Sequence, residues 1–270
     1  MNGPILVGAV AYDPKVVVIW DIIKDYFREQ GCPMDYVFYS HYALLVDALL
    51  AGHVQIAWNS PLAWLDAQGK SGGTCRAVAM RDTDRDRVTH LIVRRDSGIT
   101  TVADLRGKTV ATGAKDSPQA TLLPLHLLHT AGLEPERDFA VRRFDIAVGK
   151  HGDHVGGELH ALRSLQAGDS DAAAVLDLNW LAWLADGTAS TPALRVLATT
   201  GPFDHCNFTV RADFPPADQD RWLAALFAMR YDNPAHREMM DLEGLRAWLP
   251  GRTSGYADLE AAVAEQRFFD

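Results

Sequence analysis

The sequence predicts an α/β protein of two lobes, each a mostly parallel β-sheet flanked by helices. Short apolar runs alternate with stretches of helical spacing from residue 5 to about residue 200, which is typical of βα units. A charged connection at 81–88 interrupts this alternation, and a second series of the same kind follows it. We therefore expect residues 1–88 and 203–270 to form one lobe and residues 89–202 the other.

The first series begins with an apolar run from Ile5 to Tyr12, which predicts a strand buried on both faces. Apolar residues then recur at helical spacing from Val17 until Gly31, where a helix end is expected. Further strands are predicted over 34–40, 54–58 and 76–80, and further helices over 43–51 and 61–68. The charges at 81–88 predict an exposed connection.

The second series repeats the same alternation without a residue-level repeat. Strands are predicted over 91–93, 109–112, 140–144, 173–176, 194–198 and 208–210. Helices are predicted over 102–105, 117–130, 154–166 and 178–184, and from about residue 217 the chain is expected to be mostly helical.

Composition excludes several classes of protein. Hydrophobic residues make up 48% of the 270 residues and charged residues 23%, which indicates a folded globular chain. Lys and Arg number 26 against 35 Asp and Glu, so the net charge of −9 argues against a nucleic-acid partner. Because no apolar run reaches the ~20 residues that a membrane helix needs, we expect no membrane insertion.

The cysteines and the first residues of the chain indicate the cellular compartment in which the protein is expected. Cys32, Cys75 and Cys206 are odd in number and unrelated in spacing, so they predict neither a disulfide framework nor a closed zinc cage. The chain enters its first apolar run with no basic segment and no cleavage-site pattern before it. We therefore expect a cytoplasmic protein, or a periplasmic or extracellular one if an export signal has been removed.

Two segments resemble a known family. The stretch from Thr89 to Ile99, with DLRGKTVATG at 104–113, resembles a signature of two-lobed solute-binding proteins. SHYALLVDALLAGHVQIAW at 40–58 is similar to the phosphate/phosphite/phosphonate-binding branch of ABC-importer binding proteins. The resemblance covers about residues 5–212. It implies a type II periplasmic-binding-protein fold, one small-molecule ligand between the lobes, no cofactor and, for an exported protein, an ABC permease as partner.

The chain departs from this family where its members grip phosphonate. The family has a Ser-Thr-Ser-Gly helix start, whose hydroxyls and free N–H groups hold the anion. This chain has Ser117-Pro118-Gln119-Ala120, in which Pro118 lacks an N–H and Gln119 replaces a hydroxyl with an amide. Ser117 keeps one hydroxyl and is expected to cap the helix. The departure favours a carboxylated ligand over a phosphonate, and a planar ligand able to pair with an amide and imidazoles is the other alternative.

In folds of this kind, ligand contacts come from the carboxyl ends of strands and from helix starts. The predicted contacts share that placement. They are Tyr12, His41, Tyr42, Asn59, Ser60, Ser117, Gln119, His154, Asp177 and His205. For each of Tyr12, Tyr42 and Ser60, packing or helix capping is the alternative to ligand contact.

Two further kinds of site are weighed and not predicted. His151, His154 and Glu158, with His205 or Cys206, have a spacing that a loop could wrap around a metal, but no HExxH or paired CxxC accompanies them. Adjacent residues of an extended segment point to opposite faces, so His205 and Cys206 are not expected to pair as base and nucleophile.

Two main hypotheses about function follow. The first is a solute-binding module that closes on a small polar or anionic ligand without chemistry. The second is a cytoplasmic lyase or decarboxylase on the same fold, with His154, His205 and Asp177 as acid and base groups. A sensor that reports ligand occupancy to a partner is a third, less favoured hypothesis.

Overall fold

The computed structural model describes residues 3–152 and 156–269, and the chain divides into two compact units. The first unit contains residues 1–85 and 204–255, and the second contains residues 86–203 and 256–270. Within the described ranges, none of the helices combines the length and apolar composition needed to cross a membrane.

The strands are short and lie in the order that the alternation predicts. They are β1 (Ile5–Val10), β2 (Met34–Tyr39), β3 (Ile56–Asn59), β4 (Arg76–Arg81), β5 (Thr89–Arg94), β6 (Thr109–Thr112), β7 (Ala140–Arg143), β8 (Ala172–Leu176), β9 (Leu194–Thr199), β10 (Asn207–Val210) and β11 (Trp248–Pro250).

The α-helices pack on these strands. They are α1 (Lys15–Glu29), α2 (Tyr42–Leu50), α3 (Pro61–Ser71), α4 (Leu123–Thr130), α5 (Glu158–Ala167), α6 (Asp177–Ala185), α7 (Pro216–Phe227), α8 (Pro234–Glu243) and α9 (Ala257–Glu265). The predicted helix at 102–105 is a 3₁₀ turn, Val102–Leu105. The predicted helix at 117–130 opens with a wide π turn, Pro118–Leu122, and continues as α4.

The sheet of the first unit has the order β11-β4-β10-β3-β1-β2. β1 pairs in parallel with β2 and β3, whereas β10 lies antiparallel between β3 and β4. β1 to β4 therefore share one direction, and β10 and β11 run the other way. As a result, the carboxyl ends of β1 to β4 and the start of β10 lie at one edge of the sheet.

The sheet of the second unit has the order β7-β6-β8-β5-β9. β6 pairs in parallel with β7 and β8, and β5 is antiparallel to both β8 and β9. Four of these five strands share one direction, so this sheet is also mostly parallel, with β5 as the reversed strand. The start of β5 lies at the same edge as the carboxyl ends of β6 and β8.

Aromatic side chains pack against one another in the core of the first unit. Phe208 of β10 lies 4.5 Å from Trp58, 4.8 Å from Trp222 and 5.4 Å from Trp248 between ring centroids. α1 buries residues at the three- and four-residue spacing that its sequence shows, including Trp20 against Phe208. The strand ends that follow these rings are thereby held in place.

The C-terminal segment lies in a different unit from the one predicted. Residues 256–270 belong to the second unit, not the first. Gln266 Nε2 donates to the carbonyl of Leu122 at 2.9 Å, and His126 Nδ1 lies 2.7 Å from Glu265 Oε2. The apolar spacing of α9 predicts a helix but does not say which sheet it covers.

The predictions for the chain after residue 217 and for the connection at 81–88 have different outcomes. From residue 217 the chain is mostly helical, as predicted, but Trp248–Pro250 pairs with β4 as a strand that was not predicted. The connection at 81–88 is not an exposed charge run, since Asp84 is only 1% exposed. In both places long-range pairing overrides the local pattern.

Candidate functional site

In the first unit, five of the predicted contacts follow the carboxyl ends of β1, β2 and β3. Tyr12 is half-buried and packs against the aromatic core. His41 is exposed at the N-terminus of α2, and its Nδ1 lies 2.9 Å from Ser40 Oγ. Tyr42, the first residue of α2, is 1% exposed. The parallel strands therefore bring these side chains to one edge, as the sequence predicts.

Asn59 and Ser60 at the end of β3 are fully buried. Asn59 Nδ2 donates to Thr209 Oγ1 at 3.0 Å, and that hydroxyl donates to Asn207 Oδ1 at 2.7 Å. Asn59 Oδ1 has no hydrogen-bond partner among the described residues. Ser60 caps α3 by accepting from Ala63 N at 3.1 Å, so helix capping, the alternative weighed for it, is present.

A buried ion-pair network lies at the same edge, where β4 ends. Arg81 donates from Nε and Nη2 to the two oxygens of Asp84 at 2.7 and 2.8 Å, and from Nη1 to Glu243 Oε2 at 2.9 Å. Burial raises the pKa of Asp84, but the charge of Arg81 and the hydrogen bonds from Arg81 and His205 outweigh it and lower the pKa to about 2. Asp84 is therefore held ionised.

His205 and Cys206 lie beside this network and contact each other. Cys206 Sγ is 3.1 Å from His205 Nδ1, and the same nitrogen is 3.5 Å from Asp84 Oδ1. The prediction that neighbouring residues cannot pair is wrong here, because the contact forms just before β10 begins, where strict strand alternation does not hold.

Ligand atoms of Asp84, His205 and Cys206 lie within 4.8 Å of one another, a spacing compatible with a metal ion. However, the guanidinium of Arg81 forms a bidentate pair with Asp84. The Asp84 carboxylate is already paired with the positive charge of Arg81, which argues against the binding of a metal cation to it.

In the second unit, Ser117 begins the helix that follows β6. Its Oγ accepts from Ala120 N at 3.1 Å, and Pro118 occupies the first helical position. The predicted N-cap is thus confirmed. Leu122 N and Thr121 N both donate to the carbonyl of Ser117, at 3.0 and 3.1 Å, which gives this first turn its π character.

Gln119 ties the helix start to two other segments. Its Nε2 donates to the carbonyl of Gly152 at 2.8 Å, and its own carbonyl accepts from Thr89 Oγ1 at 2.8 Å. Gln119 is 1% exposed, and its Oε1 has no hydrogen-bond partner among the residues that the structure describes. The amide therefore keeps one buried acceptor free.

Glycines allow the loop before α5 to lie on this helix start. Gly152 has φ +68°, and a Cβ placed on it would stand 2.2 Å from Ser117 Oγ. A Cβ on Gly113 would stand 2.5 Å from the carbonyl oxygen of Gly156. Ser117, which is fully buried, thus lies under a backbone approach that only glycine permits.

Two carboxylates lie at this edge of the second sheet, where β8 ends. Glu158 is fully buried, and its Oε2 accepts from Leu176 N at 2.8 Å and Asn179 Nδ2 at 2.9 Å. Burial raises the pKa of Glu158 to about 7. Asp177 Oδ2 is 3.4 Å from Arg87 Nη1. Because Glu158 Oε2 already accepts two hydrogen bonds from N–H donors, this carboxylate is poorly suited to be the metal ligand that its sequence spacing suggested.

The structure distributes the predicted residues between the units. The first holds Tyr12, His41, Tyr42, Asn59, Ser60 and His205, and the second holds Ser117, Gln119 and Asp177. His154 lies outside the described residues. Loss of hydration lowers the pKa of the half-buried His151 to about 3, so this imidazole is neutral.

Sequence reasoning missed Arg81, Asp84 and Thr89. The charges of the first two lie in a run that alternates acidic and basic residues, which is typical of a solvated loop. Thr89 lies between this charged run and an apolar strand, and nothing in the local pattern distinguishes its hydroxyl from the polar residues before it. Only their contacts in the folded structure distinguish these three residues from ordinary loop residues, and a single sequence does not show those contacts.

Comparisons with known proteins agree with this architecture. A family model described as ABC transporter, phosphonate, periplasmic substrate-binding protein matches residues 8–256. The structure is similar to PhnD1 from Prochlorococcus marinus in complex with methylphosphonate, with a TM-score of 0.72 and 16% identity over 97% of this chain and 98% of that one. It is also similar to XAC2383 from Xanthomonas citri bound to ATP, with a TM-score of 0.75 and 20% identity over 100% and 99% of the two chains.

One curated relative extends the comparison to signalling proteins. A stretch of 98 residues, 34% of this chain, is 39% identical to the tetrathionate sensor histidine kinase TtrS of Salmonella typhimurium. That match spans 14% of the kinase's length. The structural likenesses confirm the predicted type II periplasmic-binding-protein fold. Since the family model matches residues 8–256, the chain belongs to the periplasmic substrate-binding proteins of phosphonate ABC transporters.

Proposed function

We propose that this solute-binding protein binds a small organic anion, a carboxylate in preference to a phosphonate, and delivers it to an ABC permease. The observation that carries the proposal is the Ser117-capped helix start at the carboxyl edge of the second sheet. The first N–H groups of a helix lack intrahelical acceptors, and the helix dipole is positive at that end. Such an end favours a negative charge.

The donors at this helix start support the carboxylate preference. Pro118 has no N–H, and the Gln119 amide nitrogen is bound to Gly152. The Ser117 oxygen accepts from Ala120 N, which leaves its own proton to donate. A carboxylate presents two oxygens and a phosphonate presents three, so a donor-poor site suits the carboxylate better.

The Gln119 amide can serve a ligand without losing its bond inside the protein. One of its two N–H donors is bound to the Gly152 carbonyl, and the other is left for a carboxylate oxygen, a charged acceptor that forms a strong bond. Because Ser117 and Gln119 are buried, that bond forms in a low-dielectric setting, where such bonds gain strength.

Calorimetric titration tests the proposal. The probes are acetate, methylphosphonate, methanesulfonate and tetrathionate, each titrated into the parent protein and into Ser117→Ala. We expect acetate to bind at least ~10-fold more tightly than methylphosphonate. Ser117→Ala should weaken the binding of acetate by about 10-fold, because one hydrogen bond to a charged group is lost. Ser190→Ala, at an exposed serine of the same unit, is the matched control and should bind like the parent.

The outcomes separate the parts of the proposal. Tighter binding of methylphosphonate would overturn the carboxylate preference and leave an anion site. Equal effects of Ser117→Ala and Ser190→Ala would remove the helix start from the site. If no probe binds, anion binding at this position is wrong.

A sensory role is the second candidate, favoured by the 39% identity with part of TtrS. The same ligand-binding fold would then report occupancy to a signalling partner. Ligand-dependent binding to the permease in lipid nanodiscs supports transport. Tight binding of tetrathionate with no binding to the permease supports sensing. The catalytic roles of His154, His205 and Asp177 stay predictions, and turnover of the bound probe would be their evidence.

A further inference from the structure

A cavity open to solvent lies within the second unit, on the face of β7 away from α5. Its volume is about 460 Å³, in the range of small-molecule sites. Its lining comes from the helix start, the β7 strand end and the C-terminal segment. The lining residues used below are Lys115, Thr121, Leu122, Leu125, Arg143 and Asp145.

The floor of the cavity is apolar, and its charges do not cancel. Leu122 and Leu125 are buried at 2% and 3% exposure. Lys115 and Arg143 are exposed, and neither side chain has an ion pair or hydrogen bond to another described residue. Asp145 supplies one negative charge and accepts from the backbone N of Lys115 at 2.7 Å. One positive charge remains uncompensated in the lining.

A buried hydroxyl in the lining also lacks a partner. Thr121 is 2% exposed, and its Oγ1 has no hydrogen bond within the described part of the chain. A helical threonine ordinarily bonds the carbonyl four residues earlier. Here the carbonyl of Ser117 already accepts from two backbone N–H groups in the π turn. Unpartnered buried hydroxyls are costly, and π turns are frequent at functional sites.

We propose that this cavity is a second ligand site, which binds a small amphipathic anion with its apolar body on Leu122 and Leu125 and its acidic head between Lys115 and Arg143. Thr121 offers its hydroxyl to the same head group. The site is independent of the Ser117 site, since its cations and apolar floor belong to other residues. Its occupant differs in kind from a small polar anion, because it needs an apolar body.

Octanoate is the probe, with 1-octanol as the uncharged counterpart of the same chain length. Titration is followed by calorimetry and by methyl NMR of leucine and threonine in the full chain. We expect octanoate to shift the Thr121 and Leu125 methyl signals and to bind at least ~10-fold more tightly than 1-octanol. Arg143→Gln should weaken octanoate by about 10-fold and leave acetate binding unchanged.

Matched variants keep the proposal falsifiable. Arg142→Gln removes the neighbouring charge, whose side chain lies on the other face of β7 near Ser164, and should leave octanoate binding unchanged. Thr121→Val keeps the side-chain shape and should weaken octanoate without lowering the thermal midpoint, because the hydroxyl has no bond to lose. Equal effects of Arg143→Gln and Arg142→Gln on octanoate binding, or octanoate binding that Ser117→Ala weakens and Thr121→Val leaves unchanged, would overturn the second site.

Discussion

The side-chain amide of Gln119 donates a 2.8 Å hydrogen bond to the carbonyl of Gly152, while Thr89 Oγ1 donates to the carbonyl of Gln119 at the same distance. One residue thereby joins the start of β5, the helix start after β6 and the loop before α5. Because all three segments end at one edge of the second sheet, a change at Gln119 affects the position of the anion donors as well as the stability of the unit.

Gln119→Glu replaces the buried donor with an acceptor that faces the Gly152 carbonyl. We expect the free energy of unfolding to fall by about 2–3 kcal/mol, since a buried bond is lost and two oxygens then face each other. Gln166→Glu is the control, because Gln166 Nε2 makes the same kind of bond to the Thr188 carbonyl at an exposed position. Urea denaturation of both variants checks the prediction, and equal losses would contradict the importance of burial at Gln119.

Gly152→Ala tests the close approach of the loop to Ser117. The added Cβ would stand 2.2 Å from Ser117 Oγ, so the N-cap must shift. We therefore expect the free energy of unfolding to fall by well more than the cost of placing alanine at the positive φ of residue 152. Gly132→Ala isolates that cost, because Gly132 has φ +79° and nothing within 4 Å of an added Cβ. We expect Gly132→Ala to lose about 1–2 kcal/mol. Similar unfolding midpoints for the two variants would show that the loop yields without cost.

Asp84→Asn tests the buried network at the end of β4. Among the described residues, the change leaves the Arg81 charge with Glu243 as its one carboxylate partner, so we expect the free energy of unfolding to fall by about 3–5 kcal/mol. Asp213→Asn breaks the exposed ion pair with Arg211, in which the Asp213 side chain is 72% exposed. This change should lower the free energy of unfolding by at most about 1 kcal/mol. Chemical denaturation at neutral pH measures both, and comparable small losses would mean that the network contributes little.

The pattern of short apolar runs was sufficient to predict β1 to β10 and most helices, because in both sheets the buried residues follow the periods of the secondary structure. Ser117 as N-cap was also predictable, since Ser-Pro is a local helix-start signal. The pairing of Trp248 with Arg81, the unit to which α9 belongs and the burial of Asp84 could not be predicted, because each depends on a contact with a residue more than 100 positions away in sequence. The contact between Thr89 and Gln119 spans only 30 residues, but it joins two different βα segments and no local spacing shows it.

Glu158 provides the last prediction, which concerns pH. Burial raises its pKa to about 7 in the folded protein, against an ordinary value of 4.5. Below about pH 4.5 the carboxyl is protonated in both states. Between about pH 4.5 and 7 the folded state holds the proton and the unfolded state has lost it, so the stability due to this group falls as the pH rises and is lost above about pH 7. The difference between the two pKa values corresponds to about 3 kcal/mol of free energy of unfolding.

Glu158→Gln removes the titration and keeps an oxygen that accepts from Leu176 N and Asn179 Nδ2. We therefore expect the parent protein to lose roughly 3 kcal/mol more than Glu158→Gln between pH 5 and pH 8, measured as free energies of unfolding in urea. Glu238→Gln, at an exposed glutamate of α8, should follow the parent across the same range. If the parent and Glu158→Gln curves run parallel, Glu158 is ionised in the folded protein at neutral pH, and its contacts with N–H donors, instead of burial, set its charge.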